Sequence, residues 1–201
     1  EVLVLAQPYK DALTTLFSWM AETHEARNKR EPVYGWCSWY DRFIEIDETH
    51  IQKIAEAGKN LSERIPMDVI QLDDGWQIEH GDWTANEKFP NGMTYCADKI
   101  REAGSIPGIW MAPIRSEATK PDAWYQSSKS KFLDPTNPEV EAFIRESIKK
   151  MFDAGYRYYK FDYNSLDDYR PYNLKMTNFQ IMRHLFSLYR ESIGEESFLL
   201  A

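Results

Sequence analysis

The chain has 201 residues, 43% of them hydrophobic and 28% charged, enough to bury one core of ordinary size. A formal net charge of −8 argues against nucleic acid or an anionic membrane surface as partner, and no apolar run approaches the roughly 18 residues of a membrane span. Seven Trp and twelve Tyr suit flat, partly apolar ligands such as sugar rings, and equally a large core.

Glu1-Val2-Leu3-Val4-Leu5-Ala6 reads as the end of a strand. It is short and lacks a basic flank and a cleavage pattern, so it does not read as a signal peptide, and a cytoplasmic location is the expectation. Tyr9 to Glu25 carries Ala12, Leu13, Leu16, Phe17 and Met20 at helical spacing. The charged stretch Arg27 to Glu31 reads as a linker. Gly35-Trp36-Cys37-Ser38-Trp39 is the first predicted strand of the following region. A helix from about Asp47, its N-cap, places Ile51, Ile54, Ala55 and Leu61 on one face. Asp68 to Asp74 is the second strand, stopped by Gly75. A long loop is expected from Gln77 to Met93, then a short helix through Ile100 to Gly104. Ile106 to Pro113 is the third strand. Asn137-Pro138-Glu139 opens a helix with an N-cap, a proline at the first position and an acid in the first turn. Val140, Phe143, Ile144, Ile148, Met151 and Phe152 form its apolar stripe, and Gly155 ends it. Tyr158 to Asn164 is the fourth strand. Asn173 to Ile193 reads as a helix closed by Gly194, and Ser197 to Ala201 as a fifth strand.

Repeated strand–helix alternation with short apolar strands predicts an α/β fold with a parallel sheet. Two architectures compete, a doubly wound sheet and a (β/α)8 TIM barrel. No G-x-G-x-x-G follows a strand, which weakens the dinucleotide reading. Polar residues gather instead at the C-terminal ends of four strands: Trp39, Asp73 with Asp74, Trp110, and Lys160 with Asp162 and Asn164. Convergence of several strand ends is the barrel pattern, yet a barrel needs about 250 residues. The expectation is therefore a partial barrel holding about the first five strands. Cys37 and Cys96 are far apart, without a C-x-x-C or a Cys/His cluster, so no zinc site or disulfide framework is indicated, and both read as small buried hydrophobes. No metal and no cofactor is called for.

In Lys160-Phe161-Asp162-Tyr163-Asn164 the strand period puts Lys160, Asp162 and Asn164 on one face and Phe161 and Tyr163 on the other. A lysine, a carboxylate and an amide pointing together into an apolar setting are costly unless paired or used. An ionised Asp162 beside Lys160 can attack an anomeric carbon; the alternative is a buried structural ion pair. Asp73 and Asp74 repel each other and need donors, which sugar hydroxyls or a divalent metal could supply. Alternatively one of them caps the turn at Gly75. Trp39 and Trp110 either stack on a sugar ring or fill the barrel interior. The segment from Gly81 to Gly92 is longer than a connection requires, which suits a functional loop.

Six motifs in order, Gly35-Trp36-Cys37-Ser38-Trp39, Gln71-Leu72-Asp73-Asp74-Gly75-Trp76, Gly81-Asp82-Trp83, Lys88-Phe89-Pro90-Asn91-Gly92, Gly108-Ile109-Trp110 and Lys160-Phe161-Asp162-Tyr163-Asn164, resemble the α-galactosidases of glycoside hydrolase family 36 and related raffinose-synthase-like proteins. The resemblance implies that residues 1–31 hold the end of a preceding β-domain and a linker helix. It implies that 32–201 are the N-terminal part of a (β/α)8 catalytic domain. It further implies a retaining double displacement on terminal α-galactosides of oligosaccharides, with Asp162 as nucleophile. Asp73, Asp74, Trp39, Trp110, Lys160 and Asn164 would contact substrate. The family's acid/base aspartate follows the sixth strand and falls beyond this chain, so the chain alone is expected to be inactive. Tyr40 stands where many family members have glutamate, which leans towards galactosyl transfer of the raffinose-synthase type. A non-catalytic sugar-binding piece and a metal-dependent lyase using Asp73 and Asp74 are the other readings. No nucleic-acid or membrane partner is expected, and an oligomer is compatible with all of them.

Overall fold

The computed structural model describes residues 8–26, 31–61, 64–166 and 172–201. The predicted strand end at 1–6 and residues 27–30 of the predicted linker lie outside the described residues. The chain divides into two units, Glu1–Val33 and Tyr34–Ala201. The first holds helix α1 (Tyr9–Thr23), two residues shorter at its C-terminus than the periodicity predicts.

The second unit runs β1 (Gly35–Cys37), α2 (Trp39–Arg42), α3 (Glu48–Leu61), β2 (Val69–Leu72), β3 (Gln77–Glu79), β4 (Asp82–Ala85), α4 (Gly92–Glu102), β5 (Ile106–Met111), α5 (Pro138–Asp153), β6 (Tyr158–Phe161), α6 (Asn178–Ile193) and β7 (Phe198–Leu200). Five strands form one sheet in the order β1-β2-β5-β6-β7, all parallel. With the β3–β4 hairpin set aside, spatial order follows chain order. A doubly wound sheet reverses its strand order at a switch point; this one does not, so it winds as the arc of a barrel does.

Register fixes which residues share a face. Cys37 pairs with Gln71, Gln71 with Gly108, and Trp110 with Lys160. The period of 2 then sets Cys37, Gln71, Gly108, Trp110 and Lys160 on one face, and Ile70, Leu72, Ile109, Met111, Tyr159 and Phe161 on the other. The second set is at most 1% exposed and shares one core with Ile51, Ala55, Ala97, Ile100, Ile144, Ile148, Leu185 and Tyr189 of the helices. Burial of side chains of this size contributes roughly 1.5–3 kcal/mol each. The sheet is thus clamped from its helix-bearing face, and the polar residues are left on the inner one. Gly108 serves that inner face: a Cβ there would lie 3.0 Å from the Cβ of Gln71.

Helix starts follow side-chain chemistry. Asp47 Oδ1 accepts the His50 N–H at 2.7 Å, as the N-cap reading expects. Asn137 Oδ1 accepts the Glu139 N–H at 3.0 Å with Pro138 at the first helical position; such a cap stabilises by about 1 kcal/mol. Helix α6 begins at Asn178, later than Asn173, because a capping box sets its start. Gln180 Oε1 accepts the Thr177 N–H at 2.8 Å, and Thr177 Oγ1 accepts the Gln180 N–H at 3.3 Å. The expected loop from Gln77 to Met93 instead contains the antiparallel hairpin β3–β4, and α4 is a full 11 residues. Strands of three and four residues are too short for hydrophobic alternation to reveal. Among the described residues no helix is long and apolar enough to cross a membrane.

Candidate active site

The C-terminal ends of β1, β2, β5 and β6 bring the chemistry together. Asp73, one residue past β2 and 2% exposed, is wrapped by donors. Its Oδ2 accepts from Gln71 Nε2 at 2.6 Å, Lys160 Nζ at 2.9 Å and Cys37 Sγ at 3.3 Å. Its Oδ1 accepts the Asp74 N–H at 3.0 Å, and its own N–H donates to Ser38 Oγ at 2.8 Å. The donors that the adjacent carboxylates need are therefore largely protein groups. Burial alone would push the Lys160 ammonium down, but the hydrogen bond and charge of Asp73 outweigh it, and its pKa is raised.

Asp74 is held differently. Gln77 Nε2 donates to its Oδ1 at 2.6 Å, and His80 Nε2 lies 3.3 Å from its Oδ2. Partial burial pushes this carboxyl up; the hydrogen bonds from His80 and Gln77 pull it further down, and the net pKa is lowered. Among the described residues no group of three His, Cys, Asp or Glu side chains is placed to hold a metal ion. The donor set around Asp73, which includes an ammonium, repels a cation.

Asp162 continues the β6 ladder through its N–H, which donates to Met111 O at 3.0 Å. Its Oδ2 accepts from Trp110 Nε1 at 3.2 Å and its Oδ1 from the Tyr163 N–H at 2.7 Å. Lys160 does not pair with Asp162: its ammonium spans to Asp73. Strand alternation also stops at this point, because Tyr163 has φ +53°, a conformation uncommon for a non-glycine residue. The Tyr163 ring consequently lies on the inner side, 6.3 Å from the Trp110 ring and 5.8 Å from His80, with the Arg115 guanidinium 4.4 Å above it. Asn164 is carried the other way. Its Nδ2 donates to Phe161 O at 3.1 Å and its Oδ1 accepts from Tyr189 OH of α6 at 2.9 Å. Lys160 and Asp162 therefore reach the inner groups, whereas the amide of Asn164 is engaged towards α6.

The tryptophans also divide. Trp110 is 1% exposed, packed 6.1 Å from Trp83 and 5.5 Å from His80, so its ring is part of the wall and its N–H holds Asp162. Trp39 is not on a strand. It opens the short helix α2, half-buried, edge-on to Phe43 at 5.2 Å, because the chain turns at Ser38 directly after β1. Two buried donors or acceptors in this aromatic cluster, His80 Nδ1 and Trp83 Nε1, have no hydrogen-bond partner, a state that native proteins rarely leave unfilled.

Cys37, Gln71, Ser38 and Gln77 were not singled out as site residues by sequence reasoning. Cys37 is not a plain buried hydrophobe: it is half-buried, donates to Asp73, and burial with the Asp73 charge pushes its thiol up to about 11. A signal for Gln71 was present, since it lies two residues before Asp73 and so shares its face.

The melibiase family model matches residues 13–192. The α-galactosidase Mel36A of Lactobacillus acidophilus is 30% identical over 84 residues, which cover 38% of this chain and 11% of that protein. An A type blood α-D-galactosamine galactosaminidase of Flavonifractor plautii is 46% identical over 48 residues, 22% of this chain and 4% of that protein. The structure of an α-galactosidase from Thermus thermophilus in complex with stachyose is 27% identical with a TM-score of 0.72, covering 86% of this chain and 40% of that one. The chain spans well under half the length of these relatives, and its five-stranded arc is part of their (β/α)8 barrel. Matched along nearly its whole length, the chain belongs to the melibiase family.

Proposed function

We propose that, together with the rest of its barrel, this chain hydrolyses terminal α-galactosides with retention, and that Asp162 is the nucleophile. The observation that carries this reading is the unequal fate of the strand-end carboxylates. Asp73 is 2% exposed and its Oδ2 alone accepts from three side chains, one of them an ammonium. Asp162 keeps partial exposure and is held by two neutral N–H groups, one on each oxygen. These donors aim the carboxylate and leave it without a paired cation among the described residues.

In the proposed reaction an Asp162 oxygen attacks the anomeric carbon, forming a glycosyl ester as the bond to the leaving oxygen breaks. That oxygen takes a proton from an acid contributed by the remainder of the barrel. Water, deprotonated by the same group, then attacks the anomeric carbon and returns Asp162 as carboxylate. Asp74 with His80 and Asp73 with Lys160 provide fixed polar groups for sugar hydroxyls, and the Trp110–Trp83–Tyr163 cluster provides the apolar wall. The alternative of galactosyl transfer draws on Tyr40, an 83% exposed aromatic at the position where the family resemblance implies a glutamate. The test is hydrolysis of p-nitrophenyl α-galactoside by the full-length protein and its Asp162→Asn variant, with products resolved chromatographically in the presence of a sugar acceptor. The variant should lose at least 1000-fold in kcat, of the order seen on removal of a covalent nucleophile, while still binding galactose. Near-normal turnover in Asp162→Asn refutes the assignment, and galactosylated acceptor in place of free galactose moves the reading to transfer.

A further inference from the structure

Tyr163 is held in a conformation that its side chain disfavours. Left-handed backbone is unfavourable for a bulky L-residue and persists only where the surroundings impose it. Its φ of +53° lies between two fixed points. On one side the Asp162 N–H is held by Met111 O at 3.0 Å. On the other, Asn164 is held by Phe161 O at 3.1 Å and by Tyr189 OH at 2.9 Å. With both ends fixed, a relaxation of Tyr163 is taken up by the peptide between it and Asp162. That peptide carries the N–H that donates to Asp162 Oδ1 at 2.7 Å.

The ring of Tyr163 is clamped from the segment that follows β5. The Arg115 guanidinium stands 4.4 Å from the ring centroid, within cation–π range, and such a contact is comparable in strength to the strain of one left-handed residue. Glu117 anchors the guanidinium: its Oε1 lies 2.9 Å from Arg115 Nη2, and Lys131 Nζ lies 2.6 Å from its Oε2. The backbone is braced as well. Arg115 bridges Phe132, the Ser116 N–H donates to Lys131 O at 2.9 Å, and His80 O accepts the N–H groups of Glu117 and Ala118 at 2.7 and 3.0 Å. Gly81, at φ +90°, rests so close to Ser116 that a Cβ there would sit 2.1 Å from Ser116 Oγ. Trp110 and His80 also flank the ring, but they engage Asp162 and Asp74 themselves. Arg115 reaches Asp162 through Tyr163.

We infer that Arg115, anchored by Glu117, is a positioning residue of the proposed reaction: it clamps the Tyr163 ring and so keeps the Tyr163 N–H on Oδ1 of the nucleophile. The role of Asp162 rests on the glycosidase reading; the clamp itself does not.

The test uses the full-length protein. With p-nitrophenyl α-galactoside, Arg115→Met should lower kcat at least tenfold and leave KM within twofold, because the charge is lost from the clamp and not from a substrate contact. In Tyr163→Gly the ring is gone and glycine takes φ +53° unaided, so adding Arg115→Met to it should change kcat less than twofold. An unchanged kcat, a rise in KM at constant kcat, or the same fall in both backgrounds overturns the inference. Where Arg115→Met does not fold, Glu117→Gln, which loosens the anchor of the guanidinium, carries the same comparison with an expected fall of about threefold. A second readout needs no turnover. In protein labelled with nitrogen-15 tyrosine, the Tyr163 amide is the signal missing from Tyr163→Phe. Arg115→Met should move its proton upfield, in the direction that Asp162→Ala moves it and at least half as far; a signal left in place overturns the clamp. If the protein hydrolyses no α-galactoside the glycosidase reading fails, and this signal judges the clamp separately.

Discussion

Replacing Lys160 by methionine keeps most of the side chain's volume and removes its charge. Lys160 Nζ lies 2.9 Å from Asp73 Oδ2, with side-chain exposures of 23% and 2%. At that separation and an effective dielectric of about 20 the attraction is about 6 kcal/mol before desolvation is subtracted. Removing one partner of such a pair typically costs about 3–5 kcal/mol, because the other charge is left buried. Here Asp73 retains Gln71, Cys37 and the Asp74 N–H, which places the cost near the lower end, about 3 kcal/mol. In a domain of 150–250 residues this is a fall in Tm of roughly 6–12 °C. Lys149→Met is the control. Lys149 Nζ is even closer to its partner, 2.5 Å from Asp153 Oδ2, but the two side chains are 69% and 56% exposed, so the loss there should stay below about 1 kcal/mol. The advantage of the native protein over Lys160→Met should also depend on pH. The folded state raises the Lys160 pKa, so the contribution is fully present below 10.5, the value of free lysine, and is lost as pH rises through the higher folded value. A Tm change under about 2 °C, or one no larger than that of Lys149→Met, refutes the claim that burial and not proximity sets the strength of this pair.

Two further outcomes follow from single contacts. Glu48, 6% exposed, accepts from the N–H of Asn91 at 3.0 Å and from Asn91 Nδ2 at 2.7 Å, tying the start of α3 to that of α4. Glu48→Ala should therefore destabilise by about 1–3 kcal/mol in a thermal-shift measurement, whereas a change within 0.5 kcal/mol, the ordinary surface range, would contradict it. Cys37, with its thiol pushed up to about 11 from 9.0, should present roughly a hundredfold less thiolate at pH 8 than an ordinary cysteine. Iodoacetamide labelling followed by peptide mapping should find it slow in the native protein and fast in denaturant.

The sequence carried the fold further than the site. Parallel strands at Val69 and Ile106, the caps at Asp47 and Asn137 and the absence of a dinucleotide loop were readable because each rests on local chemistry or strong periodicity. The hairpin between Gln77 and Ala85 was not, since its register depends on a turn at His80 and Gly81 that packs on Ser116, far along the chain. At the site, strand parity correctly joined Lys160 and Asp162 on one face. It failed at Tyr163, where one left-handed residue reverses the faces and sends Asn164 to Tyr189. The pairing of Lys160 with Asp73 in preference to Asp162 spans 87 residues and exists only once β2 and β6 are brought to the same end of the sheet.

The central claim is that Asp162, and not Asp73 or Asp74, attacks the anomeric carbon. A mechanism-based α-galactoside inactivator that traps the glycosyl ester, followed by proteolysis and tandem mass spectrometry, tests it in one step. The account predicts a single added glycosyl mass on the peptide containing Asp162, absent from Asp162→Asn. A label on Asp73 or Asp74, or inactivation that proceeds unchanged in Asp162→Asn, would contradict it.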